Sequence, residues 1–222
     1  MSRRSYNQAC SLAVALDLIG ERWTWLIIRA LLTGPKRYGE LSNQLPGMGT
    51  NLLSERLKGL LEYKIAEKTG KGKQSAYQLT LLGEELRPIT HQLILWGSRF
   101  ANVVFEKASM EGAKPLLTKP EWDMLAIEAA FRPELAEGVN SVLQLTLSGF
   151  TFHLVIRKNS CRAVVGPAVE PDACVTTDSA TLIAISDHAK SIESAEEKVR
   201  LKVEGDREAF NQLFHLFAWP VG

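Results

Sequence analysis

The stretch PGMGTNLLSERLKGL, from Pro46 to Leu60, sets two glycines ahead of a strongly patterned run, and its neighbours leave few ways to fold it. If each residue advances 100°, Leu53, Leu57 and Leu60 fall on one stripe. Asn51, Glu55, Lys58 and Glu62 lie nearly opposite, with Ser54 at the edge. Before this run, RYGELSNQL is a short helical pattern closed by Pro46-Gly47, and Gly47 and Gly49 allow a sharp turn. After it, KIAEKTGKGKQSAYQLT reads as two short strands around a basic tip bearing Lys68, Lys71 and Lys73.

Taken singly, these pieces are an amphipathic core helix and a surface hairpin. Their order and spacing together make a helix-turn-helix followed by a wing, in which the second helix offers its first turn to the DNA major groove. Two further helices precede it, from about Asn7 to Leu18 with Gly20 following, and from about Glu21 to Leu32 with Gly34-Pro35 as the stop. From Thr80 onward a second apolar pattern runs through Leu82, Leu86, Ile89, Leu93, Trp96, Phe100 and Val104, with Pro88 expected to kink or restart the helix. This stripe either fills an intramolecular core or packs, with the N-terminal helix, against a second copy in a two-fold dimer.

Charge divides the chain. Up to Ala108 there are 15 basic and 9 acidic residues, a net of +6, and from Ser109 there are 11 and 16, a net of −5. A basic half attracts phosphate and an acidic half repels it. EKASMEGAKPLLTKPEW, Glu106 to Trp122, carries the Gly and Pro punctuation of a linker, so domains are placed at 1–108 and 120–222. The apolar fraction of 45% with 23% charged residues suits two small soluble domains. The absence of a long apolar run or a signal-like N-terminus predicts a cytoplasmic protein without a membrane partner. Cys10, Cys161 and Cys174 have no metal spacing and are expected to be reduced thiols.

The segment from about Cys10 to Trp96 resembles the HxlR-type winged-helix transcriptional regulators. It shares the early Cys, the Ile-Gly-x-x-Trp turn, the Gly-Pro-x-Arg-Tyr-x-Glu-Leu helix, the Leu-Ser-x-Arg-Leu helix and the Tyr-x-Leu-Thr-x-x-Gly junction. One departure is the turn before the first wing strand, where the family usually has Gly and this chain has Tyr63 and Lys64. The resemblance implies a homodimer on double-stranded operator DNA, with Thr50 to Lys58 as recognition helix and the hairpin as wing. On that reading Thr50, Asn51, Ser54 and Glu55 reach base edges, since Asn can read adenine and Glu can accept from cytosine. Lys58, Lys68, Lys71, Lys73, Arg37 and Tyr38 meet phosphates. Arg56 is either a further DNA contact or the partner of a Glu such as Glu40. Some relatives carry a redox-active Cys at the position of Cys10, which is otherwise a small buried residue of the dimer helix.

The second half is read as an α+β domain, an antiparallel sheet covered by helices, so the whole chain is α+β with an N-terminal winged domain. After a helix at Glu121 to Phe131, Leu143, Leu145 and Leu147 alternate on one face, followed by Phe152, Leu154 and Ile156, with Gly149 at the turn. DACVTTDSATLIAIS and VRLKVEGDREAFNQLFHLF each run strand into helix. The region from about Glu121 to Phe217 is similar to the sterol-carrier-protein type 2 fold, which implies an apolar small-molecule or acyl effector. Phe152, Leu154, Ile156, Phe210, Leu213, Phe214 and Phe217 would line its site, or simply fill a dry core. His153, His188 and His215 are isolated and no catalytic motif occurs, so neither enzymatic activity nor a cofactor or metal is expected. The expected function is a DNA-binding regulator tuned by such an effector; the alternative is a lipid or acyl carrier whose winged domain contacts proteins.

Overall fold

The computed structural model describes residues 5–110, 119–186, 192–198 and 200–217. The chain divides into two compact units, Met1–Thr90 and His91–Gly222. The division falls within a helix, whereas the sequence places the change of chemistry later, at 109–119, where residues 111–118 lie outside the described set.

In the first unit α1 (Ser11–Ile19) and α2 (Thr24–Leu32) precede α3 (Tyr38–Gln44) and α4 (Thr50–Glu62). Helix α2 starts at Thr24 and not at Glu21 because Trp23 takes a left-handed φ of 79° and cannot be part of it. Ile27, Ile28, Leu31, Leu41, Leu53, Leu57 and Leu60 are each at most 2% exposed, so the α4 stripe seen in the sequence is the core face. Each such side chain contributes about 1.5–3 kcal/mol relative to leaving it in water.

The chain leaves α4 through a Schellman turn: Ile65 N–H donates to Leu60 O at 2.9 Å and Lys64 N–H to Leu61 O at 3.1 Å. Lys64 sits at φ 54°, so the left-handed position usually given to Gly is held here by a lysine. Strands β1 (Ala66–Thr69) and β2 (Ala76–Leu79) then pair antiparallel, with Lys68 opposite Tyr77. Tyr77 also exchanges both backbone bonds with Lys36, at 2.7 and 2.9 Å, which anchors the hairpin to the segment before α3.

The Thr-x-x-Gly signature closes this unit. Thr80 Oγ1 donates to Lys64 O at 2.6 Å and accepts from Gly83 N–H at 3.1 Å, capping α5 (Leu81–Glu84). A Cβ on Gly83 would lie 2.0 Å from Ile65 O, so only glycine lets α5 approach so closely. The restart expected at Pro88 occurs: α6 (Leu86–Ser98) begins two residues before the proline, in whose first turn a missing N–H is tolerated. Arg87 beside it is buried and donates to Leu32 O at 2.7 Å.

The second unit takes the rest of α6, then α7 (Ala101–Met110) and α8 (Pro120–Ala130). Its strands are β3 (Ser141–Leu147), β4 (Phe150–Arg157), β5 (Ser160–Val165), β6 (Ala173–Thr177) and β7 (Leu201–Gly205). Helices α9 (Ser179–Ser186) and α10 (Ile192–Glu197) lie between the last two, and α11 (Arg207–Leu216) follows them. The sheet order is β5-β4-β3-β6-β7. The class is the expected α+β, but the sheet is not antiparallel throughout: β3 and β6 pair in parallel, Leu143 with Ala173. The reason is the connector 166–172, which returns along the sheet so that β6 runs the same way as β5. It is held to the sheet by Ala168 N–H donating to Gln144 Oε1 at 3.0 Å and by a 2.9 Å contact between His153 Nδ1 and Gly166 O. Asp206 caps α11 by accepting from Glu208 N–H and Ala209 N–H.

Candidate nucleic-acid interface

Turning the chain between α3 and α4 requires Gly47, at φ 87°, and leaves Gly49 extended as the residue before α4. Thr50, Asn51, Ser54, Glu55 and Lys58 are all exposed, on the side of α4 away from its leucine stripe. Five polar side chains thus cover about two turns of helix, the length that reaches base edges when such a helix enters the major groove.

Two side chains that do not belong to this face, Tyr38 and Arg56, hold it in place. Tyr38 Oη donates to Thr50 O at 2.8 Å and lies 3.1 Å from Ser54 Oγ, so the residue read as a phosphate contact is turned onto α4. Arg37, its neighbour, is exposed, and its backbone N–H donates to Glu40, which caps α3. Arg56, left open between DNA and an ion pair, places Nη2 3.1 Å from Glu21 Oε2 and Nη1 3.1 Å from Glu55 Oε1. Its partner is therefore Glu21, from the Ile-Gly-x-x-Trp turn, and Glu40 is engaged elsewhere. Sequence spacing could not reveal this pair, because the two residues are 35 apart and meet only through the fold.

In the wing, the Lys68 ammonium lies 5.1 Å from the Tyr77 ring centroid, a cation–π contact that steadies its stem on β1. Lys71 is exposed at the tip, between Gly70 and Gly72 with φ of 71° and 56°. The side chain of Lys73 lies outside the described residues. The basic groups that can meet phosphate without reading sequence are therefore Arg37, Lys58, Lys68 and Lys71, on four different elements or turns.

Cys10, read as a buried dimer-helix residue or a sensor, is exposed at the residue before α1. The backbone N–H groups of Ala13 and Leu12 at the start of α1 favour the thiolate and hold its thiol below the usual value. It is exposed because α1 buries only Ala13 and Ile19 within the chain. Cys161 is the opposite case, a thiol pushed up by burial and then by the nearby Glu128 carboxylate. That carboxylate is itself buried, accepts from Ala163 N–H at 3.2 Å on the edge strand β5, and lies 3.6 Å from His91 Nε2.

Of the residues assigned to an apolar ligand, Phe152, Leu154, Ile156 and Phe210 are 0% exposed and Phe217 is buried. Phe214 is half-buried, with its ring 5.4 Å from that of Phe210 in an edge-to-face pair. The Leu213 side chain lies outside the described residues. Phe152, Leu154 and Ile156 lie on β4, against which α8 packs, whereas Phe210 is on α11, which packs on β3, β6 and β7, so the assigned residues sit in core packing on two parts of the sheet. Among the described residues, no group of three or more His, Cys, Asp and Glu is placed to hold a metal, and no helix is long and apolar enough to cross a membrane.

A turn-linked helix pair with a polar second helix and a lysine-tipped hairpin defines a winged helix-turn-helix protein. The HxlR-like helix-turn-helix family model matches residues 18–104, and the SCP-2 sterol transfer family model matches residues 125–218. The HTH-type transcriptional regulator YodB of Bacillus subtilis is 34% identical over 89 residues, 39% of this chain and 80% of YodB. YkvN of the same organism, also named an HTH-type transcriptional regulator, is 30% identical over 112 residues, covering 48% of this chain and 93% of its own. The chain belongs to the HxlR-like helix-turn-helix family of transcriptional regulators. The solved quinone-bound YodB structure aligns at a TM-score of 0.38 and 32% identity, covering 42% of this chain and all of YodB. The sec-alkylsulfatase Pisa1 from Pseudomonas sp. aligns over 45% of this chain at 18% identity and a TM-score of 0.42; the match spans 16% of Pisa1.

Proposed function

We propose that this protein is a dimeric, non-enzymatic regulator whose operator affinity responds to an apolar or acyl small molecule acting on its C-terminal unit. The observation that carries the DNA reading is the exposed α4 face, Thr50, Asn51, Ser54, Glu55 and Lys58, held from behind by Tyr38 and Arg56. Support for a dimer comes from apolar side chains left in solvent. Leu12 and Val14 on α1 are exposed, and Ile89, Leu93, Trp96 and Phe100 repeat at helical spacing along and beyond α6. Two such copies would present their α4 helices to half-sites about one DNA turn apart. Support for an effector is the similarity of residues 125–218 to the SCP-2 sterol transfer family together with the −5 charge of that half, which does nothing to help DNA binding.

The test combines three measurements on the full chain: light scattering, DNA binding by fluorescence anisotropy at low and moderate salt, and the same binding titrated with fatty acids, acyl-CoA esters and aromatic acids. The reading expects a dimer, salt-dependent binding to a two-fold site, and a shift in operator affinity with at least one compound class. A monomer that binds lipid but not DNA is a carrier and overturns it.

A further inference from the structure

Deepening the regulator reading and resting on it, we infer that Tyr38 fixes Ser54 as a hydrogen-bond acceptor, so that Ser54 and Glu55 select an exocyclic amino group, adenine N6 or cytosine N4, in the major groove. The Tyr38 phenol has a single proton. Thr50 O, 2.8 Å away, is a carbonyl oxygen that can only accept, so that proton points to it. The second contact, 3.1 Å between Tyr38 Oη and Ser54 Oγ, is then made with the only hydroxyl proton of Ser54. A serine is ordinarily indifferent to base identity, because its hydroxyl rotates to donate or accept. This one has its proton occupied on the protein side and offers lone pairs outward.

Glu55, next along the helix, has the same polarity by virtue of its charge, and Arg56 Nη1 steadies its Oε1 from the protein side. Two exposed acceptors therefore stand side by side on α4. In the major groove adenine N6 and cytosine N4 donate, whereas guanine O6 and N7 and thymine O4 accept and are repelled. Tyr38 touches no base in this scheme; it is a positioning residue that sets specificity through Ser54.

The experiment selects binding sites from random duplexes with the full-length protein. It then measures affinities for single-base variants of the selected site with the parent, Tyr38→Phe, Ser54→Ala and the double variant. The parent should prefer A or C at one position per half-site, by about 2- to 12-fold for one net hydrogen bond. Tyr38→Phe should weaken that preference by the share Ser54 contributes, at that position alone, keeping its selectivity elsewhere and its salt dependence. The double variant should match Ser54→Ala there, because the phenol acts only through the serine. Tyr38→Phe selecting the same base with the same preference overturns the inference, as does a uniform loss at every position, which marks a merely structural role. If the parent selects no sequence at all, the regulator reading itself falls.

Discussion

Replacing Gly83 with alanine tests whether the junction between the wing and α5 is as tight as its geometry indicates. An added Cβ would stand 2.0 Å from Ile65 O and 3.1 Å from both Ile65 C and Leu79 Cβ, and the first two atoms are backbone that cannot rotate away. Helix α5 must move out, and with it the Thr80 cap that joins Lys64 O to Gly83 N–H. Overpacking of this kind costs about 1–3 kcal/mol and a lost cap about 1 kcal/mol, against about 1 kcal/mol gained from the better helix propensity of alanine. The net is a loss of about 2 kcal/mol, which for a unit of this size lowers the melting temperature by roughly 8–16 °C. Gly59→Ala is the control: on α4 nothing lies within 4 Å of its added Cβ, so propensity alone acts and the variant should gain about 0.5–1 kcal/mol. Thermal melting followed by helical circular dichroism on the full chain reads both. If Gly83→Ala melts at or above the parent while Gly59→Ala behaves as stated, the close approach does not exist and the explanation of the Thr-x-x-Gly signature is wrong.

Lys64→Gly should stabilise the same unit by about 0.5–1 kcal/mol, since Lys64 holds a left-handed φ of 54° that glycine adopts freely; an unchanged midpoint in urea would count against it. Replacing both Lys68 and Lys71 with alanine should weaken binding to all DNA sequences alike and reduce the slope of log affinity against log salt by roughly 1–2 per subunit; a retained slope would take the wing off the DNA. Burial first, then Glu121, raises the Asp123 carboxyl, opposed by the hydrogen bond from Ser179. A raised folded-state value means stability that is full below the unfolded carboxylate range and is lost as pH rises through the folded value. Asp123→Asn should therefore match the parent in acid and exceed it near neutrality, and melting curves from acid to neutral pH that stay parallel would refute this. Cys10→Ser should keep DNA binding under mild peroxide while the parent loses it, and equal responses would remove the thiol from any sensing role.

What could be read from the sequence is what local periodicity controls. The leucine stripe of α4 is core because three residues one turn apart must share a face, and the Leu143–Leu147 and Phe152–Ile156 alternation became β3 and β4 for the same reason. Asp178, just ahead of α9 in the run DACVTTDSATLIAIS, caps that helix by accepting from Thr181 N–H at 2.7 Å. Features fixed by distant partners were not accessible. The parallel β3–β6 ladder depends on how the connector 166–172 returns across the sheet, and nothing in its composition states a direction. Tyr38 looked like a phosphate contact because its spacing says only that it opens a helix; its hydroxyl partners are 12 and 16 residues away. Arg56 and Glu21 were each visible as charges, yet their pairing needed the fold.

Among the described residues, the buried rings of the C-terminal unit constrain how the proposed effector would act there. Phe152 and Phe210 have no exposed surface, and α11 is tied at its end by Arg132 N–H donating to Leu216 O at 2.8 Å and by the edge-to-face contact of Phe131 with Phe217. On the proposed reading, an apolar molecule entering beside Phe152 or Phe210 would have to displace those rings or part those ties, and would so bind an arrangement that is a minor one in the free chain. If that arrangement is populated at about 1%, the apparent affinity is reduced about 100-fold from its intrinsic value. The same population difference would supply the proposed coupling: a ligand favouring the open arrangement by about 1–3 kcal/mol over the closed one changes a linked equilibrium by roughly 5- to 150-fold. A variant that empties part of the core, such as Phe210→Ala, should then weaken the closed arrangement and raise effector affinity even as it lowers the melting temperature. Calorimetric titration of that variant with a fatty acid that binds the parent decides the point, since an affinity that falls with stability would place the ligand outside this core.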